Sequence, residues 1–103
     1  MLVVNRFRVT EEDAEGFRVE LRAAHDVLAA QRGYEGGRLG RNVDDPTLWA
    51  MATWWRDVGS YRRALSAYDV KLNAVPLLSR AVEEPSAYED LEGELNLDLP
   101  RVT

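Results

Sequence analysis

The chain has 103 residues, 46% of them hydrophobic, with a net charge of −5 and no cysteine. That length is one domain with a modest core, and no apolar run is long enough to span a membrane. The acidic balance excludes the electrostatic footprint of nucleic-acid or anionic-lipid binding, and the missing cysteine excludes disulfides, thiolate nucleophiles and iron–sulfur ligation.

Residues 1–6 lack the basic start and long apolar stretch of a signal peptide, so a cytoplasmic location is expected. The only histidine, His25, argues against a zinc cluster.

Leu2 to Val9 alternates, with Val3, Asn5, Phe7 and Val9 on one side and Leu2, Val4, Arg6 and Arg8 on the other, which predicts a strand. Thr10 before Glu11, Glu12 and Asp13 predicts a helix start, because a hydroxyl cap and acids satisfy free N–H groups and the positive dipole end. Ala14, Phe17, Leu21, Ala24 and Leu28 form one apolar stripe, and Gly33 supplies the stop. Residues 34–42, with Gly36, Gly37 and Gly40, predict a bent strand where another backbone or a ligand comes close.

Asp44-Asp45-Pro46 is a turn signal. Residues 47–56 are the strongest strand, with Trp49, Met51, Thr53 and Trp55 opposite Leu48, Ala50, Ala52 and Trp54. Asp57 and Ser60 both suit the cap of a second helix, whose stripe is Val58, Tyr61, Leu65, Tyr68, Leu72 and Val75 until Pro76 breaks or kinks it. Leu77, Leu78 and Val82 suggest a short helical continuation, and residues 86–95 read as a last strand.

The order is βαββαβ, an α+β ferredoxin-like arrangement with a four-stranded antiparallel sheet and both helices on one face. Residues 1–95 make the domain and 96–103 a C-terminal tail. Two helices cover one sheet face only, yet the third strand is apolar on both. The simplest cover for the other face is a second copy, giving a homodimer through the sheet; the alternative is the tail folding over it.

Val4-Asn5-Arg6-Phe7, Gly33-Tyr34-Glu35-Gly36 and Thr53-Trp54-Trp55-Arg56 occur together here. In this combination the chain resembles the antibiotic biosynthesis monooxygenase family over roughly residues 2–92. The resemblance implies a dimeric α+β barrel. It also implies one of several activities: cofactor-independent oxidation of polyketide-type aromatic phenols and quinols, haem degradation, or none.

Asn5 is the most informative residue. A buried amide needs partners, at a cost of roughly 1–3 kcal/mol without them. Asn5 either bonds neighbouring backbone or lines a pocket, as the matching asparagine does in the haem-degrading branch. Trp55, Met51 and Trp49 should share the helix-side face with Asn5 and Phe7. Trp55 matches the family's pocket tryptophan but is equally an ordinary core aromatic. Trp54 points the other way, to the dimer interface.

Of the tyrosines on the second helix, Tyr61 reads as structural and Tyr68 as the pocket candidate. Asn73 lies near the place where haem-degrading relatives carry their iron-ligating histidine, and an amide is a poor axial ligand. His25 sits off the main stripe of its helix and reads as a surface or boundary residue. Met51 stands where the phenol-oxidising branch often has asparagine. Arg38 is either a solvated strand arginine or a neutraliser of an anionic substrate. The acids Glu83, Glu84, Glu89, Asp90, Glu92 and Glu94 show no metal-loop pattern and read as a solvated face.

The reading is a monooxygenase needing no cofactor, with Asn5 and Trp55 catalytic and Phe7, Arg38, Met51, Tyr68 and Asn73 around a small apolar or aromatic ligand. The alternatives are a non-catalytic ligand-binding domain of the same fold and a haem-binding or haem-degrading protein.

Overall fold

Strand β3 (Leu48–Trp55) alternates strictly between buried and half-buried positions, and this alternation decides which side of the sheet is core. Trp49, Met51, Thr53 and Trp55 point inward, while Leu48, Ala50, Ala52 and Trp54 point out. The computed structural model describes residues 1–92. Strand β1 (Leu2–Arg8) pairs antiparallel with β3 in a register that sets Phe7 opposite Trp49 and Asn5 opposite Met51. Strand β2 (Tyr34–Arg41) lies on the other side of β3, with a bulge between Tyr34 and Gly36. A two-residue strand, β4 (Ala87–Tyr88), closes the order β2-β3-β1-β4, all antiparallel.

The first helical segment opens as a 3-10 turn, Glu11–Asp13, and continues as α1 (Ala14–Ala29). Thr10 does not cap the backbone as predicted. Its hydroxyl donates to the Asp13 carboxylate at 3.0 Å instead. Phe17, Leu21, Ala24 and Leu28 are all buried, as the stripe requires. Phe17 packs on Phe7 with ring centroids 5.2 Å apart and edge-on to Trp49 at 5.5 Å. Gly33 turns the chain into β2 with φ +92, and a Cβ there would stand 2.4 Å from Cβ of Ser60. Glycine satisfies both demands.

The second helix departs from prediction. Asp57 caps it, accepting a hydrogen bond from Ser60 N at 2.7 Å, but α2 (Val58–Ser66) stops at Ala67, whose backbone is extended. Two short helices follow, α3 (Tyr68–Asn73) and α4 (Val75–Leu78). The interruption resets the helical phase. Ala64, Val70, Ala74 and Leu77 now face the core, while Tyr68 is 78% and Leu72 56% exposed. Pro76 breaks nothing, because it sits in the first turn of α4, where its missing N–H is harmless.

All helices lie on the face bearing Trp49, Met51 and Trp55, so the architecture is the ferredoxin-like βαββαβ arrangement. The opposite face carries half-buried Val4, Leu48, Ala50, Ala52 and Trp54 with Leu2 at 40% exposure, and no described element covers it. The predicted last strand, 86–95, is shorter within the described residues: 89–92 are not strand, and 93–95 and the tail 96–103 lie outside them. No helix is long and apolar enough to cross a membrane, among the described residues.

Candidate functional site

Residues 82–86 run beside β1 but touch it only at their ends. Val82 N donates to Arg6 O at 2.7 Å and Val4 N to Ser86 O at 2.7 Å. Between these two bonds the chain arches away, because Pro85 has no N–H to give and Glu84 reaches across to Arg6. The arch leaves a cleft of about 410 Å³ against the end of α4, lined by Asn5, Leu78, Ser79, Val82 and Glu83 among others. Asn5 is half-buried, and its side-chain amide has no hydrogen-bond partner among the described residues. It can therefore donate to, or accept from, a bound molecule without first breaking a protein bond.

A two-pronged ion pair closes the cleft's outer side. Arg6 Nε donates to Glu84 Oε2 at 2.7 Å and Nη2 donates to Oε1 at 2.6 Å. The paired guanidinium holds the Glu84 carboxyl below the usual carboxylate range, and the carboxylate raises Arg6 in return.

Met51 is directly across the ladder from Asn5 and on the same face, yet wholly buried beneath the helices. Phe7 is also sealed, against Phe17. Trp55 lies four residues beyond Met51, about 13 Å along the strand. It is wholly buried and lines none of the clefts described here. Its indole N–H donates to Thr53 Oγ1 at 2.9 Å. Tyr34 meets it edge-on and Tyr61 lies against its other side, each with centroids 5.4 Å away.

The structure thus opens Asn5 to a cleft, seals Phe7, Met51 and Trp55 in the core, and does not bring Asn5 and Trp55 together. Tyr68 and Asn73 are exposed, because the extended backbone at Ala67 turns both onto the outside of the helical layer. Arg38 is exposed on β2 and lines a separate groove of about 360 Å³ with His25 and Gly37. The tyrosine that faces Trp55 is Tyr61, which the sequence assigns to structure. Burial pushes its phenol up, so it stays protonated at neutral pH. The signal for it is its place at the start of α2, six residues after Trp55, ahead of the phase break. His25, expected at the surface or boundary, is half-buried at the α1–β2 boundary, with Nε2 2.5 Å from Tyr34 Oη.

The antibiotic biosynthesis monooxygenase family profile matches residues 1–71 of the 103. The chain belongs to the antibiotic biosynthesis monooxygenase family. Among solved structures, SnoaB from Streptomyces nogalater, described as a cofactor-independent oxygenase, is 26% identical with a TM-score of 0.68, over 89% of this chain and 96% of that one. Two more distant structures share the fold. A conserved protein from Methanosarcina mazei Go1 is 20% identical with a TM-score of 0.67, over 84% of each chain. Rv0793 from Mycobacterium tuberculosis is 17% identical with a TM-score of 0.65, over 84% of this chain and 86% of that one.

 No curated protein matches the chain significantly.

The family includes haem-degrading members, and the residues present do not fit an axial haem ligand. Asn73 is an exposed amide on the outer side of α3, and the one imidazole, His25, is on α1 and bonded to Tyr34. Among the described residues, no group of three or more His, Cys, Asp or Glu could hold a metal ion.

Proposed function

We propose that the protein is a cofactor-independent monooxygenase that oxidises a small aromatic phenol, quinol or polyketide-like substrate with O2. The observation that carries this reading is the free Asn5 amide in its cleft, on a chain 26% identical to an oxygenase that needs no cofactor. In the proposed reaction the ionised substrate gives one electron to O2. The resulting radical and superoxide combine through a C–O bond. The hydroperoxide then loses water and leaves a carbonyl. The protein's share is to hold the substrate, favour its anion and orient the oxygen.

Asn5 hydrogen-bonds the oxygen species or the substrate carbonyl. Trp55 stacks on the ring, which requires Tyr61 and α2 to move aside about the extended link at Ala67. Asn5 and Trp55 are far enough apart that only an extended, multi-ring substrate touches both. Met51, across the ladder from Asn5, and Phe7, two residues further from Trp55, form the apolar floor beside Asn5, and Arg38, Tyr68 and Asn73 contribute only if a partner subunit or a shift of the helices brings them in.

The working unit in this proposal is a cytoplasmic homodimer. The uncovered apolar face around Trp54 supports it, because soluble monomers seldom leave such a patch in water. The domain is taken to end near residue 95, with 96–103 as a tail. Oxygen uptake and product analysis with anthrone- and hydroquinone-type substrates test the activity, with Asn5→Ala as the paired variant. No uptake over a broad panel sinks it. A non-catalytic ligand-binding domain is the second reading, favoured by the solid packing of Trp55 and Met51. Native mass spectrometry showing a bound, unaltered small molecule and no turnover supports it.

A further inference from the structure

Four ring side chains run in continuous contact from α2 through the core to the outer side of α1. Tyr61 lies against Trp55 with centroids 5.4 Å apart, Trp55 meets Tyr34 edge-on at 5.4 Å, and Tyr34 meets the His25 ring at 5.6 Å. The last contact is also a hydrogen bond, with Tyr34 Oη 2.5 Å from His25 Nε2. Burial raises the Tyr34 phenol, so it keeps its proton at neutral pH, and it donates to Nε2 in the tautomer that carries the imidazole proton on Nδ1.

Strand β2 makes room for this bond. A Cβ on Gly37 would stand 2.6 Å from Tyr34 Oη and 2.9 Å from His25 Nε2. Glycine weakens a strand, so the position gives up ladder stability to let the two polar groups meet. His25 then opens on the groove bordered by Arg22, Asp26, Arg38 and Leu39. At the other end, the Tyr61 hydroxyl has no hydrogen-bond partner among the described residues.

Electron-rich rings in contact pass an electron vacancy between them. A phenol must release its proton as it is oxidised, because its radical cation is a very strong acid. The vacancy therefore settles on the tyrosine that has a base in place, which is Tyr34 and not Tyr61. We propose that Tyr61, Trp55, Tyr34 and His25 form a relay that conducts oxidising equivalents out of the core to the α1–β2 groove. It ends as a neutral Tyr34 radical with the phenolic proton on His25.

The steps balance. A one-electron oxidant of the partly reduced oxygen class, such as a peroxyl radical, takes an electron from Trp55 and leaves as a hydroperoxide after gaining a solvent proton. Tyr34 returns an electron to Trp55. Its O–H bond breaks, and the proton passes to His25 Nε2. The relay spares the sealed core, where Met51 is an oxidisable thioether. It goes beyond the monooxygenase reading and stands without it, since any one-electron oxidation of Trp55 engages the same path.

The chain has no cysteine and four tyrosines, so a ruthenium tris(bipyridine) label can be placed uniquely at Arg62→Cys on α2, in a Tyr68→Phe/Tyr88→Phe background. Flash oxidation with a pentaamminecobalt(III) quencher is followed by transient absorption and freeze-quench electron paramagnetic resonance. A tyrosyl radical is expected that vanishes in Tyr34→Phe and persists in Tyr61→Phe. His25→Gln should slow its formation roughly a hundredfold, because the proton must then leave to water. A radical of undiminished yield in Tyr34→Phe, or an unchanged rate in His25→Gln, overturns the proposal. Trp55→Phe should also slow the radical; should that variant not fold, the other two, which leave the core intact, decide the matter.

Discussion

Replacing Asn5 by leucine asks whether the amide is there to bind or to hold the strand. An unpartnered buried amide costs about 1–3 kcal/mol. Asn5 is half-buried, so about half of that, roughly 0.5–1.5 kcal/mol, applies here. Leucine has similar size, no polar group to strand and a better fit to β1. Asn5→Leu should therefore be more stable by about 0.5–1.5 kcal/mol, a rise of a few degrees in Tm for a chain this small. Turnover should move the other way. Losing one donor aimed at developing oxyanion charge costs about 10²–10³ in kcat. Urea unfolding followed by tryptophan fluorescence gives the first quantity, and oxygen uptake with a quinol panel the second. A leucine variant less stable by more than about 1 kcal/mol refutes the reasoning, because the amide must then have a partner that holds the strand. Higher stability with undiminished turnover removes Asn5 from the site.

Trp54→Glu places a charge in the centre of the uncovered sheet face and should convert the proposed dimer to monomer in sedimentation velocity; an unchanged dimer mass moves the interface elsewhere, and a monomeric parent protein refutes the dimer. Phe17→Ala deletes a ring that contacts both Phe7 and Trp49 and should cost about 3–5 kcal/mol in urea unfolding. The Glu84 carboxyl is depressed by Arg6, so its stabilising contribution is present above the usual carboxylate range and is lost as pH falls through its own lower value. Protection of the Val82 amide, relative to its intrinsic exchange rate at each pH, should fall in that acid window, where the 82–86 arch loosens, and Glu84→Gln should show the lower protection already at neutral pH.

The sheet and α1 were legible in the sequence because each has one uninterrupted period. Met51 and Trp55 could be placed on the inner face, and Ala50 and Trp54 on the outer, from alternation alone. The region after Asp57 was not, because its break has no proline or glycine to announce it. Ala67 goes extended although alanine is the best helix former, and the stripe through Tyr68 and Leu72 turns outward. The site was half legible for the same reason. Asn5 could be read from its strand, but the cleft beside it depends on where 82–86 leaves β1, a long-range arrangement. The glycines of β2 signalled a close approach. The partners are side chains: Trp54 at Gly36, with Tyr34 and His25 at Gly37.

Trp55 is asked to do two things that make opposite demands on its surroundings. Stacking on a substrate needs an open face and so needs Tyr61 to leave. Passing an electron to Tyr34 needs the closed packing in which Tyr34 and Tyr61 each lie 5.4 Å away. Phenylalanine separates these demands, since it keeps an aromatic face but is much harder to oxidise. If stacking is the larger part, Trp55→Phe should retain turnover within roughly tenfold, as expected when most of the ring's apolar contact survives. If the relay is the larger part, the same variant should turn over at first and then inactivate, with sulfoxide accumulating at Met1 or Met51, the chain's two thioethers. Mass spectrometry of the protein during turnover distinguishes the two. Early inactivation without oxidation at either methionine contradicts the protective role, because Met51 in the core and Met1, whose backbone bonds that of Trp55, are the thioethers such an oxidant can reach from there.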